Sequence, residues 1–105
     1  MKFLKTLAEK IQNNTLRSTT WICDQPATYE AEYYKLIFVS DTKVEGWVLF
    51  TNETKESHTF TATYTTSKNT IQFKKGEDCF VANYTKRRLV ALVEGNSLHF
   101  KKILD

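Results

Sequence analysis

The stretch His58-Thr59-Phe60-Thr61-Ala62-Thr63-Tyr64-Thr65-Thr66 decides the architecture of this chain. Phe60, Ala62 and Tyr64 alternate with Thr59, Thr61, Thr63 and Thr65, and because strand side chains point to opposite faces in turn, one face is apolar and the other bears hydroxyls. That is a half-buried strand. Thr, Tyr and Phe all favour the pleated conformation, so propensity and period agree. After a polar turn at Ser67-Lys68-Asn69 the alternation resumes with Ile71 and Phe73, which predicts a hairpin partner sharing the same apolar face.

Toward the C-terminus, Gly76-Glu77 is a turn before Asp78 to Thr85, where Phe80, Ala82 and Tyr84 repeat the spacing of Phe60, Ala62 and Tyr64. Lys86-Arg87 turns the chain into Arg88 to Val93, an apolar run of strand length. Glu94-Gly95-Asn96-Ser97 is a strong turn signal, and an amphipathic strand from Leu98 to Ile103 closes the chain.

Toward the N-terminus, the polar segment Thr51 to Ser57 reads as the longest exposed loop, following a strand from Val44 to Phe50. Gly46 inside that strand marks a bulge, a bend or the close approach of something bulky, and in a small barrel a bend is expected. Ser40-Asp41-Thr42-Lys43 is a turn by composition. The long strand before it, Ala31 to Ser40, puts Tyr34, Leu36 and Phe38 on one side and Tyr33, Lys35, Ile37 and Val39 on the other. Both sides are partly apolar, so this strand is covered on both faces or exposes an apolar outer strip. Trp21 and Cys23 share a face of a first strand, Thr19 to Asp24, which Gln25-Pro26-Ala27 ends, since proline cannot donate to a ladder. At the start, Phe3, Leu4, Leu7 and Ile11 fall on one side of a helix, with Lys2, Lys5, Glu9 and Lys10 mostly elsewhere. Its stripe is expected to cover the core or close one end of a barrel; the functional alternative is a membrane-surface or partner-binding helix.

About eight short strands joined by tight polar turns have the rhythm of an up-and-down barrel. The predicted fold is therefore mainly β, an antiparallel meander barrel over residues 16–105 preceded by one amphipathic helix over residues 1–14, in a single domain of 105 residues. Closure is expected to pair the Trp21 strand with the Phe100 strand and so remove exposed edges. An apolar content of 41% and a charged content of 26% are ordinary for a globular chain. The net charge of +3, with pI near 8.9, is too mild for a dedicated nucleic-acid binder. No apolar run reaches the roughly 20 residues that span a bilayer, so a soluble protein without a transmembrane segment is expected. No leader is readable in this numbering, which points to a cytoplasmic address, or a secreted one if a leader has been removed.

The chain resembles the bacterial lipocalin-like proteins. The resemblance rests on Leu16…Thr20-Trp21 at the first strand and Leu36…Phe38…Ser40-Asp41…Val44…Gly46 across the next hairpin. It continues through Phe60…Tyr64, Asn69…Ile71…Phe73, Leu89…Leu92 and Gly95-Asn96-Ser97-Leu98…Phe100…Lys102, covering roughly residues 16 to 103. The lipocalin Gly-x-Trp signature is absent, with Ser18-Thr19-Thr20-Trp21 in its place. The resemblance implies a meander barrel that carries a small ligand.

No catalytic set is readable. His58 and His99 have no acidic or thiol neighbour at ligand spacing, so no metal site and no cofactor is expected. Glu30, Glu32 and Glu45 read as solvated carboxylates rather than a glycosidase pair. Cys23 and Cys79 are expected to be separate, reduced, buried thiols. The basic groups Lys74-Lys75, Lys86-Arg87-Arg88 and Lys101-Lys102 lie at strand ends, where lysines guard against edge pairing. Gathered on one rim beside Tyr84 or Phe73, they would suit a single-stranded nucleic acid, a possible but not favoured partner.

The function expected is a non-enzymatic binding module. It holds a small apolar or amphipathic ligand around Phe38, Gly46, Trp47, Phe60, Ala62 and Tyr64, or it acts through its surface. The alternative is a small protein-interaction or inhibitor protein, such as a mobile-element counter-defence factor, that presents Tyr33, Lys35, Ile37, Lys86, Arg87 and Arg88 to a protein or nucleotide-containing partner. The inward set inferred includes Trp21, Leu36, Phe38, Phe60, Tyr64, Ile71, Phe73, Phe80, Tyr84 and Phe100. So many large side chains predict a filled barrel with at most a crevice near Gly46 and Ala62.

Overall fold

The alternation seen in the sequence becomes eight antiparallel strands in a computed structural model that describes residues 16–25 and 30–104. They are β1 (Thr19–Cys23), β2 (Ala31–Phe38), β3 (Lys43–Phe50), β4 (Ser57–Ser67), β5 (Thr70–Lys75), β6 (Asp78–Tyr84), β7 (Arg88–Val93) and β8 (Asn96–Leu104). Each pairs with its sequence neighbour, and β1 pairs with β8 to close the barrel. The expected meander and its closure are both present. The helix expected over residues 1–14 lies outside the described residues. No helix among the described residues is long and apolar enough to cross a membrane.

Turn chemistry supports the meander. Val93 pairs with Asn96 across Glu94-Gly95, and both turn residues have positive φ, the signs of the type I′ turn whose twist suits a two-residue hairpin. Lys68-Asn69 and Gly76-Glu77 are also two-residue loops, each with positive φ at the first position only.

Register is set by which face each strand buries. Ala62 and Tyr64 on β4 are buried, as are Ala82 and Tyr84 on β6, while Phe60 and Phe80 are each half-buried. The repeated triplet thus has the same burial gradient on both strands. On β2, Leu36 and Phe38 face inward and Tyr33, Lys35 and Ile37 outward.

Sequential pairing gives the barrel two ends. At one lie Leu16 and the β2–β3, β4–β5 and β6–β7 connections; at the other lie the β1–β2, β3–β4, β5–β6 and β7–β8 connections. The first end is packed shut. Phe38, Val44, Ile71 and Leu89 have no exposed surface, and Leu16 and Trp21 almost none. The Phe38 ring meets Tyr64 edge-on at 5.0 Å and Phe73 at 6.2 Å. Each such side chain contributes about 2–3 kcal/mol by leaving water. Polar groups in this packing are satisfied: Tyr64 Oη donates to the Ser40 carbonyl at 2.6 Å, Trp21 Nε1 donates to Thr19 Oγ1 at 2.8 Å, and Thr19 Oγ1 donates to the Leu16 carbonyl at 2.5 Å. Leu16 is thereby tied to Trp21 through one hydroxyl.

Gly46 does more than bend its strand. The β3–β4 register shifts between Gly46 and Trp47, leaving Thr59 as the extra residue, and a Cβ on Gly46 would lie 2.0 Å from the Phe60 ring. Glycine is needed here because an aromatic ring lies against its backbone.

Candidate functional site

The open end of the barrel holds a cavity of about 580 Å3. Its walls come from inward positions near the ends of six strands: Tyr34 and Leu36 on β2, Phe60 on β4, Phe73 on β5, Phe80 on β6, Ala91 and Val93 on β7, and Leu98 and Phe100 on β8, with Gly46 of β3 beneath the Phe60 ring. Thr59, Lys75, Asp78, Glu94 and Asn96 also line it, and Lys35 and Trp47, which alternate with the inward positions of β2 and β3, complete the lining at its rim. An apolar chamber of this size with a few polar groups is the usual form of a small-molecule site.

The filled barrel expected from the sequence is therefore corrected. The packing holds at one end only. At the other, Phe60 and Phe80 are half-buried, and β7, from which the inferred inward set takes no residue, supplies the small side chains Ala91 and Val93. The cavity does reach Gly46, but Ala62 does not border it.

The expected ligand set divides between the two ends. Gly46, Trp47 and Phe60 border the cavity, whereas Phe38, Ala62 and Tyr64 belong to the buried core. Tyr34, Ala91, Val93 and Leu98 were not foreseen as site residues. The alternation of Leu89, Ala91 and Val93 against Arg88, Val90 and Leu92 carried the signal, hidden by the apolar character of both faces.

The expected partner surface is also two places. Tyr33, Lys35 and Ile37 lie half-buried on the outer face of β2, where Tyr33 Oη donates to Glu56 Oε2 at 2.5 Å and the Lys35 ammonium pairs with Glu56 Oε1. The Lys35 bond, and then the Tyr33 bond, hold the Glu56 carboxyl below its ordinary range, while Glu56 pushes the Tyr33 phenol up. Beside them Trp47 Nε1 donates to Glu45 Oε1 at 3.2 Å, and the His58 ring meets the Trp47 ring edge-on at 5.1 Å. Lys86, Arg87 and Arg88 are instead exposed at the closed end.

Of the basic groups, Arg87, Arg88, Lys101 and Lys102 do gather on one rim: Arg88 faces Lys101, and Lys102 N donates to the Arg87 carbonyl. Lys74-Lys75 sits at the opposite end. Glu45 faces Ile37, at the far end of β2 from Glu30 and Glu32, so no carboxylate pair forms there. Cys23 is buried, and burial pushes its thiol up; Cys79 is exposed, facing Lys74, because its position alternates with the inward Phe80. The expectation of two buried thiols holds for Cys23 alone.

Charge separates along the barrel. Among the described residues, the open-end connections carry Asp24, Glu30, Glu53, Glu56, Glu77 and Glu94 against Lys55. The closed-end segments carry Arg17, Lys68, Lys86 and Arg87 against Asp41. The cavity mouth is thus acidic in a protein whose net charge is positive. Among the described residues no group of three His, Cys, Asp or Glu is placed to hold a metal ion. The chain matches no family model, no curated protein and no solved structure.

Proposed function

We propose that this chain is a non-catalytic binding module that takes a small apolar or amphipathic ligand into the open end of its barrel, in the manner of the lipocalin-like proteins it resembles. The observation that carries this reading is the aromatic-walled cavity of about 580 Å3 opposite a fully packed end. Apolar hollows of this size are rarely left by packing alone, because protein interiors approach crystal density. The test uses N-phenyl-1-naphthylamine, an uncharged probe that brightens in apolar surroundings. Uptake at one site per chain is expected, with loss of uptake in Ala91→Phe, which fills the cavity from β7, and no fall in melting temperature. Val93→Phe at the mouth is the second variant. Undiminished uptake by both folded variants, or no uptake by the parent protein, overturns the reading.

A second reading, a protein-interaction or inhibitor module, draws on the outer face of β2 to β4. There Tyr33 and Lys35 are bonded to Glu56, Trp47 pairs with Lys35 across β2 and β3 and meets the His58 ring, and aromatic side chains of this kind are enriched at interfaces. Native mass spectrometry of the protein from its own host, showing a stoichiometric protein partner that is lost in Trp47→Ala, would favour it.

A further inference from the structure

We infer that the ligand of the open end is a cationic amphiphile, an apolar body in the cavity with an ammonium group at the mouth. This rests on the binding reading above and goes beyond it in naming the head group. Three features converge. First, the Phe60 ring, held flat against Gly46, already receives a cation: the Lys75 ammonium lies 5.9 Å from its centroid, within the range at which an aromatic face attracts positive charge. Second, the charged lining is net acidic once Lys35 is assigned to Glu56. Lys75 then stands against Asp78 and Glu94, and among the described residues neither carboxylate is in an ion pair. Third, apart from Glu56 and Glu94, already counted, the open-end connections carry Asp24, Glu30, Glu53 and Glu77 against Lys55, and a mouth surrounded by one sign of charge concentrates ligands of the other.

Lys75 is then a tethered occupant of the head-group position. It is exposed and sits on a long flexible stem, so an incoming ammonium displaces it and takes over the Phe60 ring face in the cavity that Asp78 and Glu94 also line. An anionic head would meet one lysine and two carboxylates in a field of the wrong sign. A neutral head would gain only the burial of its chain.

The experiment displaces bound N-phenyl-1-naphthylamine from the full chain with three probes of one chain length: decyltrimethylammonium, 1-decanol and decanoate, each below its aggregation threshold. The expected order is cation, then alcohol, then carboxylate. The cation should lead the alcohol by about fivefold, the factor equivalent to ~1 kcal/mol for a ring-face contact at an exposed site. Asp78→Asn combined with Glu94→Gln should reduce the cation's affinity and leave the alcohol's unchanged. The deciding variant is Lys75→Gln, which should strengthen cation binding by removing the competitor. If decanoate displaces best, or if Lys75→Gln weakens binding of the preferred probe, the head-group assignment is overturned while the binding reading stands. Failure of the reporter itself to enter the parent protein defeats the binding reading first and separates the two outcomes.

Discussion

The two ends of this barrel are made by the same strands, yet they differ in packing, charge and exposure. On β4 the sequence Phe60-Thr61-Ala62-Thr63-Tyr64 runs from the open end to the closed one, and on β6 Phe80-Val81-Ala82-Asn83-Tyr84 does the same. In both, the tyrosine is buried and the phenylalanine half-exposed. At the closed end Tyr64 and Tyr84 are joined by Phe38, Ile71, Leu89 and Leu16, which consume the interior volume. At the open end the Phe60 ring fills the place beside Gly46, and the small Ala91 and Val93 leave space. A barrel of eight strands is near the size at which its own side chains just fill it, so a few small residues on one level decide between core and cavity.

The largest expected effect comes from removing one ring at each end. Phe38→Ala should cost about 3–5 kcal/mol in urea unfolding, because a fully buried ring leaves a cavity among rigid neighbours. Phe80→Ala should cost about 1 kcal/mol, since its ring is half in water before the change. Equal costs would mean that the two ends are packed alike and would break the comparison.

A smaller effect sharpens it at the closed end. Burial, with a lesser contribution from the nearby Asp41, pushes the Tyr64 phenol up to about 12 from its ordinary 10.0. The folded state holds this proton more tightly than the unfolded state does, so the stabilisation is complete below pH 10 and is lost as pH rises toward 12. The loss should approach about 2–3 kcal/mol. Tyr64→Phe should cost about 1 kcal/mol at neutral pH, because the Ser40 carbonyl loses its donor. Because that loss exceeds the worth of the hydrogen bond, the stability gap between the two proteins should close and then reverse across the alkaline range. A gap independent of pH there would show that Tyr64 is not sealed from water.

The smallest effects belong to surface charge. Glu56, held below its ordinary range by Lys35 and then Tyr33, contributes stability that is present above the usual carboxylate pKa and lost as pH falls through its folded value. Because the pair with Lys35 is partly in solvent, Glu56→Gln should cost no more than about 1 kcal/mol near neutral pH, and nothing in acid. Asp41→Asn, which breaks the exposed 3.6 Å pair with Arg17 at the closed end, should cost less still. Urea midpoints measured from about pH 7 to about pH 3 would rank them. A larger loss in Asp41→Asn would reverse the assignment of the better-sheltered ion pair to the open end.

Strand order, the hairpin turns and the buried face of the strands that alternate cleanly were legible in the residues. Alternation of Phe60, Ala62 and Tyr64 with threonines leaves only one face to bury, and Glu94-Gly95 suits a turn that needs positive φ at both positions. The exposed position of Cys79 was implied by the same alternation, since Phe80 beside it points inward. Part of the site was legible too: Gly46 inside a strand left a bulge, a bend or a close approach open, with a bend expected, and the structure has a register shift there with the Phe60 ring against the glycine.

What period cannot express is height along the barrel axis. Alternation says in or out, but whether an inward ring meets another ring or an empty space depends on the stagger between strands far apart in sequence. Phe38 is buried because closure brings it level with Tyr64 and Phe73; Phe80 is half-exposed because it lies near the mouth, level with Phe73 of its own hairpin and beside the small residues of β7. The charge asymmetry has the same origin. The acidic turns are scattered in sequence, and the alternating direction of the strands carries every second connection to the same end. The sequence by itself determined a meander of half-buried strands and the large side chains that face inward from the cleanly alternating ones. Only the closed tertiary structure decided which of them pack together and which line an acidic-mouthed cavity, because that depends on stagger summed around eight strands and not on any local pattern.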